Sequence, residues 1–229
     1  GGMSLFSAND GSTGVELWRT NGTAGGTALI KNINSTTDGN SNPLLYDVAS
    51  LNGKLFFNAY EPRYENEPYI SNGTAAGTQL LKDINTTGYS NPTSFTPFKN
   101  KIFFGANSGT NWSIYASDGT AAGTQSVFAL GPSGSINKIV AGTDWIYVIY
   151  TNLSNNHLEI WKSDGTTGGS LRLDDLSATY GYSAAAVGNT LFFSLNNAAS
   201  GNELWKSTGT VNGATMVKDI NPGTASSNP

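Results

Sequence analysis

The chain has 229 residues and a formal charge of −4, with a pI near 4.9. Its few Lys and Arg residues are scattered, which excludes the basic footprint of a nucleic-acid binder and argues against an anionic membrane surface as partner. It contains no Cys, so disulfides and thiolate metal sites are excluded. No apolar run approaches the roughly 18 residues a spanning helix needs, so membrane insertion is not expected.

In chain order, Gly1-Gly2-Met3 runs straight into Leu5-Phe6 with no basic region or cleavage site, and reads as a cut boundary rather than a signal peptide. The run SLFSA (Ser4 to Ala8) is followed by ELWRTNGTAGGT from Glu16, and four further copies of that segment follow. They are EPYISNGTAAGT from Glu67, SIYASDGTAAGT from Ser113, EIWKSDGTTGGS from Glu159 and ELWKSTGTVNGAT from Glu203. Their starts differ by 51, 46, 46 and 44 residues, periods typical of propellers and solenoids.

Within a period, alternating apolar residues and bounding turn residues mark four strands. In the second repeat these are LLYDVASL (Leu44 to Leu51), KLFFNAY (Lys54 to Tyr60), EPYIS (Glu67 to Ser71) and TQLLKDI (Thr78 to Ile84). Asn52-Gly53 between the first two predicts a type I′ hairpin, and Asn100 and Gly188-Asn189 hold the same place later. The second-strand run returns as KIFFGA from Lys101, WIYVIY from Trp145 and TLFFSL from Thr190.

The octapeptide SNGTAAGT or SDGTAAGT joins the third strand to the fourth. Asn or Asp caps its own turn there, Gly takes the left-handed conformation, and Thr hydroxyls bond nearby backbone. A second recurring segment carries the chain onward: KNINSTTDGNSNP (Lys31 to Pro43), KDINTTGYSNP (Lys82 to Pro92) and KDINPGTASSNP (Lys218 to Pro229). The pattern predicts an all-β chain, a single repeat domain over residues 1–229 with repeats near 1–40, 41–89, 90–133, 134–179 and 180–229. The architecture it favours is a five-bladed β-propeller of four-stranded blades, because FF runs are apolar on both faces. A β-solenoid is the alternative, disfavoured by hairpin signals that demand antiparallel neighbours. The first repeat starts at its second strand, which leaves nineteen strands and an incomplete first blade with a sheet edge open to self-association.

The segments ELWRTNGTAGGT, EIWKSDGTTGGS and ELWKSTGTVNGAT resemble the ELWxxDGT, or hyalin-like, repeat of bacterial secreted and cell-surface proteins. The resemblance covers essentially the whole chain and implies export and a propeller-like repeat domain. It implies no catalytic residue set. Pro68-Tyr69 and Ile114-Tyr115 replace Leu-Trp, Ser113 replaces Glu, and Asn21, Asn72 and Thr208 replace Asp.

The aromatic column Trp18, Tyr69, Tyr115, Trp161 and Trp205 lies mid-strand, which favours packing between sheets over sugar stacking. The turn residues Asp118 and Asp164 and the column Glu16, Glu67, Glu159 and Glu203 are expected to be structural. Aromatics in turns or their flanks, Tyr60, Tyr64, Tyr89, Trp112, Tyr180 and Tyr182, are the better ligand candidates, with Trp112, Tyr64, Tyr89 and Tyr182 the ones singled out.

No metal site or cofactor is implied. Calcium is the one ion left open, with NDGSTG (Asn9 to Gly14) the best local oxygen-rich loop. His157 is the only histidine, with no nucleophile elbow beside it, and nothing marks Asp174 or Asp175 as half of a glycosidase pair. The expected role is non-catalytic: an exported, extracellular module that binds carbohydrate or a surface protein through its loops. A structural spacer or assembly domain is the alternative.

Overall fold

Short strands with period-two patterning and tight polar turns can pair only with their chain neighbours, and the computed structural model shows that outcome throughout residues 2–36 and 39–229. Thr37 and Asp38 of the first connecting segment, and Gly1, lie outside the described residues. Among the described residues there are nineteen strands and no helix. The first sheet has three strands, β1 (Ser4–Asn9), β2 (Val15–Thr20) and β3 (Ala28–Lys31). The second has β4 (Ala49–Leu51), β5 (Lys54–Glu61), β6 (Glu65–Ser71) and β7 (Gln79–Leu80). The third comprises β8 (Thr93–Phe98), β9 (Lys101–Asn107), β10 (Trp112–Ser117) and β11 (Gln125–Gly131). The fourth comprises β12 (Gly134–Ala141), β13 (Ile146–Asn152), β14 (His157–Ser163) and β15 (Ser170–Leu176). The fifth comprises β16 (Thr179–Val187), β17 (Thr190–Asn197), β18 (Gly201–Ser207) and β19 (Thr215–Lys218).

The chain divides into two compact units, Gly1–Thr110 with Tyr115–Gln125, and Asn111–Ile114 with Ser126–Pro229. In the first unit the double-Phe strand works as its pattern requires. Successive side chains on a strand face opposite ways, so Phe57 joins Leu17, Ile30 and Tyr69 in one core while Phe56 joins Ile70, Phe95, Phe104 and Tyr115 in another. Phe56 and Phe57 are both fully buried, a contribution of about 1.5–3 kcal/mol apiece. In the second unit one core is built from Tyr147, Ile149, Leu158 and Ile160 of the fourth sheet with Tyr180, Leu191, Phe193 and Leu195 of the fifth.

The hairpins form as their turn residues dictate. Asn52 and Gly53 both have positive φ, at 51° and 74°, as a type I′ turn requires. In the third repeat Lys99 and Asn100 take those two places, at 45° and 60°. In the fifth only Gly188 of the Gly188-Asn189 pair has positive φ.

Two strands are shorter than their apolar runs predict. Of Leu44 to Leu51 only Ala49–Leu51 pairs, because the Asp47 carboxylate is drawn to the third repeat. It accepts the Thr93 hydroxyl at 2.9 Å and the Ser94 and Phe95 N–H groups at 2.7 and 3.2 Å, while Tyr46 turns out to solvent. Of Thr78 to Ile84 only Gln79–Leu80 pairs, because the Glu67 carboxylate captures the N–H groups of Ile84 and Asn85. Pro68 on the facing strand also has no N–H to offer.

Candidate functional site

The repeated octapeptide folds into the same turn in the first four repeats, while Thr208 holds the capping place in the fifth. Asn21, Asn72, Asp118 and Asp164 each accept both the N–H and the hydroxyl of the Thr two residues on, at 2.7–3.1 Å. The intervening Gly lies at φ between 81° and 93°, where a Cβ would be strained. The bonds to Thr120 lower the Asp118 pKa, so its carboxylate stays ionised.

The turns also present carbonyls outward, and the preceding repeat grips them with its basic side chains. Arg19 and Lys54 donate to the carbonyls of Gly73 and Gly119, Lys31 and Lys82 to those of Thr78 and Thr124, and Lys162 to that of Gly209, at 2.6–3.1 Å. The octapeptide is thus a clasp between consecutive repeats as well as a turn within one.

The Glu column braces the connecting segments. Glu16 accepts the N–H groups of Ile33 and Asn34 and the Ser41 hydroxyl, the last at 2.6 Å. Glu67 does the same with Ile84, Asn85 and Ser90, and Glu203 with Ile220, Asn221 and Ser227. The fourth repeat has no such segment. There Glu159 instead accepts from Asn152, the Trp161 indole N–H and Arg172. Arg172 continues to Asp175, whose other oxygen meets His157 Nδ1 at 2.6 Å.

The neighbouring Asp174 is buried and accepts the Ala214 N–H, with burial raising its pKa. Asp174 and Asp175 therefore serve different networks on opposite faces of β15.

The aromatic column packs. Tyr69 and Tyr115 are buried, Tyr115 stacked on Phe104 with ring centroids 5.7 Å apart. Trp161 stacks on Phe128 at 5.6 Å, Trp18 tilts against Phe6 at 6.5 Å, and Trp205 lies against the core of the second unit. Within the NDGSTG loop the Gly11 N–H donates to Asn9 Oδ1 at 2.7 Å. One Asp10 oxygen accepts from both the backbone and the hydroxyls of Ser12 and Thr13, and the Thr13 and Ser12 N–H bonds pull its pKa down to about 2.

Of the four singled-out aromatics, Trp112 is half-buried at the start of β10, and Tyr64 is half-buried with the Arg63 guanidinium 5.0 Å from its ring centre. The other two line clefts. In the first unit Tyr89, 49% exposed, stands with Tyr60 at a cleft of about 620 Å³ whose lining is otherwise almost entirely asparagine. Asn58 lies there, only 6% exposed, and its Oδ1 is buried without a hydrogen-bond partner. The side-chain amides of Asn42, Asn66 and Asn91 make no hydrogen bond among the described residues either. Leu44 supplies the apolar part of the lining, and none of the described residues that line it is charged.

A cleft of about 490 Å³ occupies the corresponding place in the fifth repeat of the second unit, with Tyr180, Tyr182, Asn196, Asn202 and Asn228 around it. Asn66 and Asn202 both precede the column Glu, and Asn91 and Asn228 are both the Asn of a Ser-Asn-Pro or its equivalent. These asparagines were not singled out in the sequence, although their recurrence beside the Glu and the Pro was a visible signal. The backbone explains the recurrence. The Ser and Asn N–H groups of each such segment hook one carbonyl, that of Val15, Asn66 or Asn202, with the Asn at φ of 43°, 46° or 54°. Asn tolerates that conformation better than other non-glycine residues.

No protein-family model and no curated protein matches the chain. Among solved structures it is similar to a prolyl endopeptidase, with a TM-score of 0.57 at 12% identity over 93% of this chain and 32% of that one. It is similar also to prolyl oligopeptidase B from Galerina marginata, at 0.56 and 11% over 93% and 32%, and to puromycin hydrolase, at 0.54 and 12% over 97% and 36%. The chain spans about a third of the length of these proteins. The likeness is one of fold: the chain is an all-β, β-propeller chain, as the repeat pattern predicts.

Proposed function

We propose that this propeller chain is a non-catalytic binding module whose ligand is a neutral carbohydrate held in the asparagine-lined cleft of the first unit. The observation that carries the reading is the buried, unpartnered Asn58 Oδ1 at that cleft. A buried acceptor with no donor costs roughly 1–3 kcal/mol, which a ligand hydroxyl recovers on binding. Carboxamides present donors and an acceptor side by side, a match for vicinal hydroxyls, and the exposed Tyr89 offers a face to the apolar side of a sugar ring. The described lining residues are all uncharged, which favours a neutral ligand, and the volume falls in the usual range for small-ligand sites. The ELWxxDGT resemblance supports an exported, cell-surface setting for such a module.

The test is calorimetric titration with a panel of neutral oligosaccharides, of cello-, xylo-, manno- and malto- type. At least one class is expected to bind, with affinity reduced roughly tenfold or more in Asn58→Ala, whose unfolding midpoint should stay level or rise, and in Tyr89→Ala at an unchanged midpoint. Silence across the panel from the folded protein would overturn the reading in favour of a spacer or assembly domain. That rival predicts concentration-dependent oligomers through the three-stranded first sheet.

A further inference from the structure

We infer that the cleft of the second unit is a separate saccharide site, and that it takes an acidic, uronate-bearing chain rather than a neutral one. The inference rests on the carbohydrate-binding reading above but not on the first cleft. Its starting point is Tyr182, a bulky aromatic held at φ 78° and left 89% exposed. A side chain of that kind rarely adopts positive φ, and where it does, the surroundings impose the strain.

The surroundings here are specific. The pairing of β16 with β17 shifts register between Tyr180 and Ala184. At the bulge, Gly181 lies so close to Asn202 that a Cβ would sit 2.2 Å from its Oδ1, and the Ser183 N–H is tied to Ser194 Oγ at 3.0 Å. Between those two fixed points the Tyr182 ring is forced out into solvent, where it lines two adjoining depressions at once.

The depression on one side holds unmet hydrogen-bonding groups. Asn202 is 9% exposed, its Nδ2 donates to Asn228 Oδ1 at 3.2 Å, and its Oδ1 is buried without a partner. Tyr180, 7% exposed, has a buried hydroxyl that is likewise unpartnered, and burial pushes its pKa up to about 12. An acceptor and a donor with no mates, beside an exposed ring, form the polar half of a sugar subsite.

The depression on the other side contains Lys138, whose side chain is the one that carries charge among the described residues lining the two. Its ammonium has no acidic partner among the described residues. A single ammonium beside an aromatic platform matches one carboxylate per sugar residue, and the absence of any guanidinium fork argues against a densely sulfated chain. Among the described residues the first cleft has no counterpart to this lysine, so the two sites differ in the charge they accept.

The test is calorimetric titration with a short oligogalacturonate and with the same oligomer fully methyl-esterified, which keeps shape and removes charge. The acid form is expected to bind roughly threefold to tenfold tighter than the ester in moderate salt. Lys138→Ala should erase that difference and leave the ester affinity in place. Tyr182→Gly should weaken both forms about tenfold while the unfolding midpoint stays level or rises, because Gly is at ease at that φ. A merely structural Tyr182 would not give opposite signs for binding and stability.

Equal affinity for acid and ester, an unaltered ratio in Lys138→Ala, or full affinity in Tyr182→Gly would overturn the inference. In each of those cases neutral binding that Asn58→Ala weakens tenfold or more would leave the first-cleft reading standing. Silence toward both acidic and neutral oligomers would overturn the two together.

Discussion

The second and fourth repeats carry the same Glu at the same strand position and use it in different ways. Glu67 takes up backbone N–H groups of Ile84 and Asn85 and the hydroxyl of Ser90, all from the segment that leaves its own repeat. Glu159 takes up only side chains, from Asn152, Trp161 and Arg172, because the fourth repeat leaves by a short path with no KDIN or Ser-Asn-Pro. The first and fifth repeats follow the second, and the third has neither the Glu nor the segment. The column Glu and the long connection are therefore one device, present or absent together except in the fourth repeat, where the residue has found other partners.

The largest expected effect comes from breaking the device where it is complete. Glu67→Ala leaves two backbone N–H groups and a buried serine hydroxyl without their acceptor, and should cost about 3–5 kcal/mol in chemical denaturation. Glu159→Ala should cost only about 1–2 kcal/mol, since Arg172 is half exposed and can turn to water. Equal losses would dissolve the distinction between the repeats. The converse change, Ser113→Glu, puts a carboxylate into a buried strand position with no connecting segment to receive it. A loss on the order of 3 kcal/mol is expected there too, and a neutral result would show that the third repeat can supply donors of its own.

The comparison sharpens with pH, because two complete copies respond in opposite directions. Burial raises the Glu67 pKa to about 7, outweighing the bonds from Ile84, Ser90 and Asn85 that favour its ionised form. Its contribution is thus fully present below the ordinary carboxylate pKa and is lost as pH rises through about 7, by at most on the order of 3 kcal/mol. Burial also pushes Glu203 upward, but the Ser227 hydroxyl and the N–H groups of Ile220, Asn221 and Ser227 outweigh it and the pKa is lowered. Its contribution is present at neutral pH and is lost as pH falls through that lowered value. Unfolding free energies between pH 3 and 8 should show Glu67→Gln removing a decline toward neutral pH and Glu203→Gln removing one toward acid. The same slope change in both variants would refute the contrast.

The sequence made the local parts of this plan readable and hid the paired parts. Strand number, hairpin position and the octapeptide turn all depend on neighbours a few residues apart, so Asn52-Gly53 and Asp118-Gly119 announce themselves. The brace joins residues 17 to 25 positions apart, and Glu67 and Ser90 each look unremarkable alone. Asp47 was hidden for a similar reason: its run reads as a strand, and only its bonds to Ser94 and Phe95 show that the carboxylate is needed elsewhere. The clefts were half visible. Tyr89 and Tyr182 stood out as exposed aromatics near turns, whereas Asn58 matters through an unmet bond, and a missing partner leaves no mark in a sequence.

The smallest expected effect concerns the clasp, which the second and fourth repeats share. Lys82 reaches the Thr124 carbonyl at 2.6 Å and Lys162 the Gly209 carbonyl at 2.7 Å. The Lys162 ammonium also stands 4.6 Å from the Trp145 ring centre, a second attraction that Lys82 lacks among the described residues. Substitution by Met keeps the aliphatic stem and removes the charge, so Lys82→Met should cost roughly 1 kcal/mol, the worth of a partly exposed charged hydrogen bond. Lys162→Met should cost about half as much again, because the cation–π term is lost with it. If the two variants unfold at the same denaturant concentration, the Trp145 contact adds nothing and the clasp is the same device in both repeats. If Lys162→Met is clearly the weaker, the repeats that differ most in their use of Glu differ in their clasps as well.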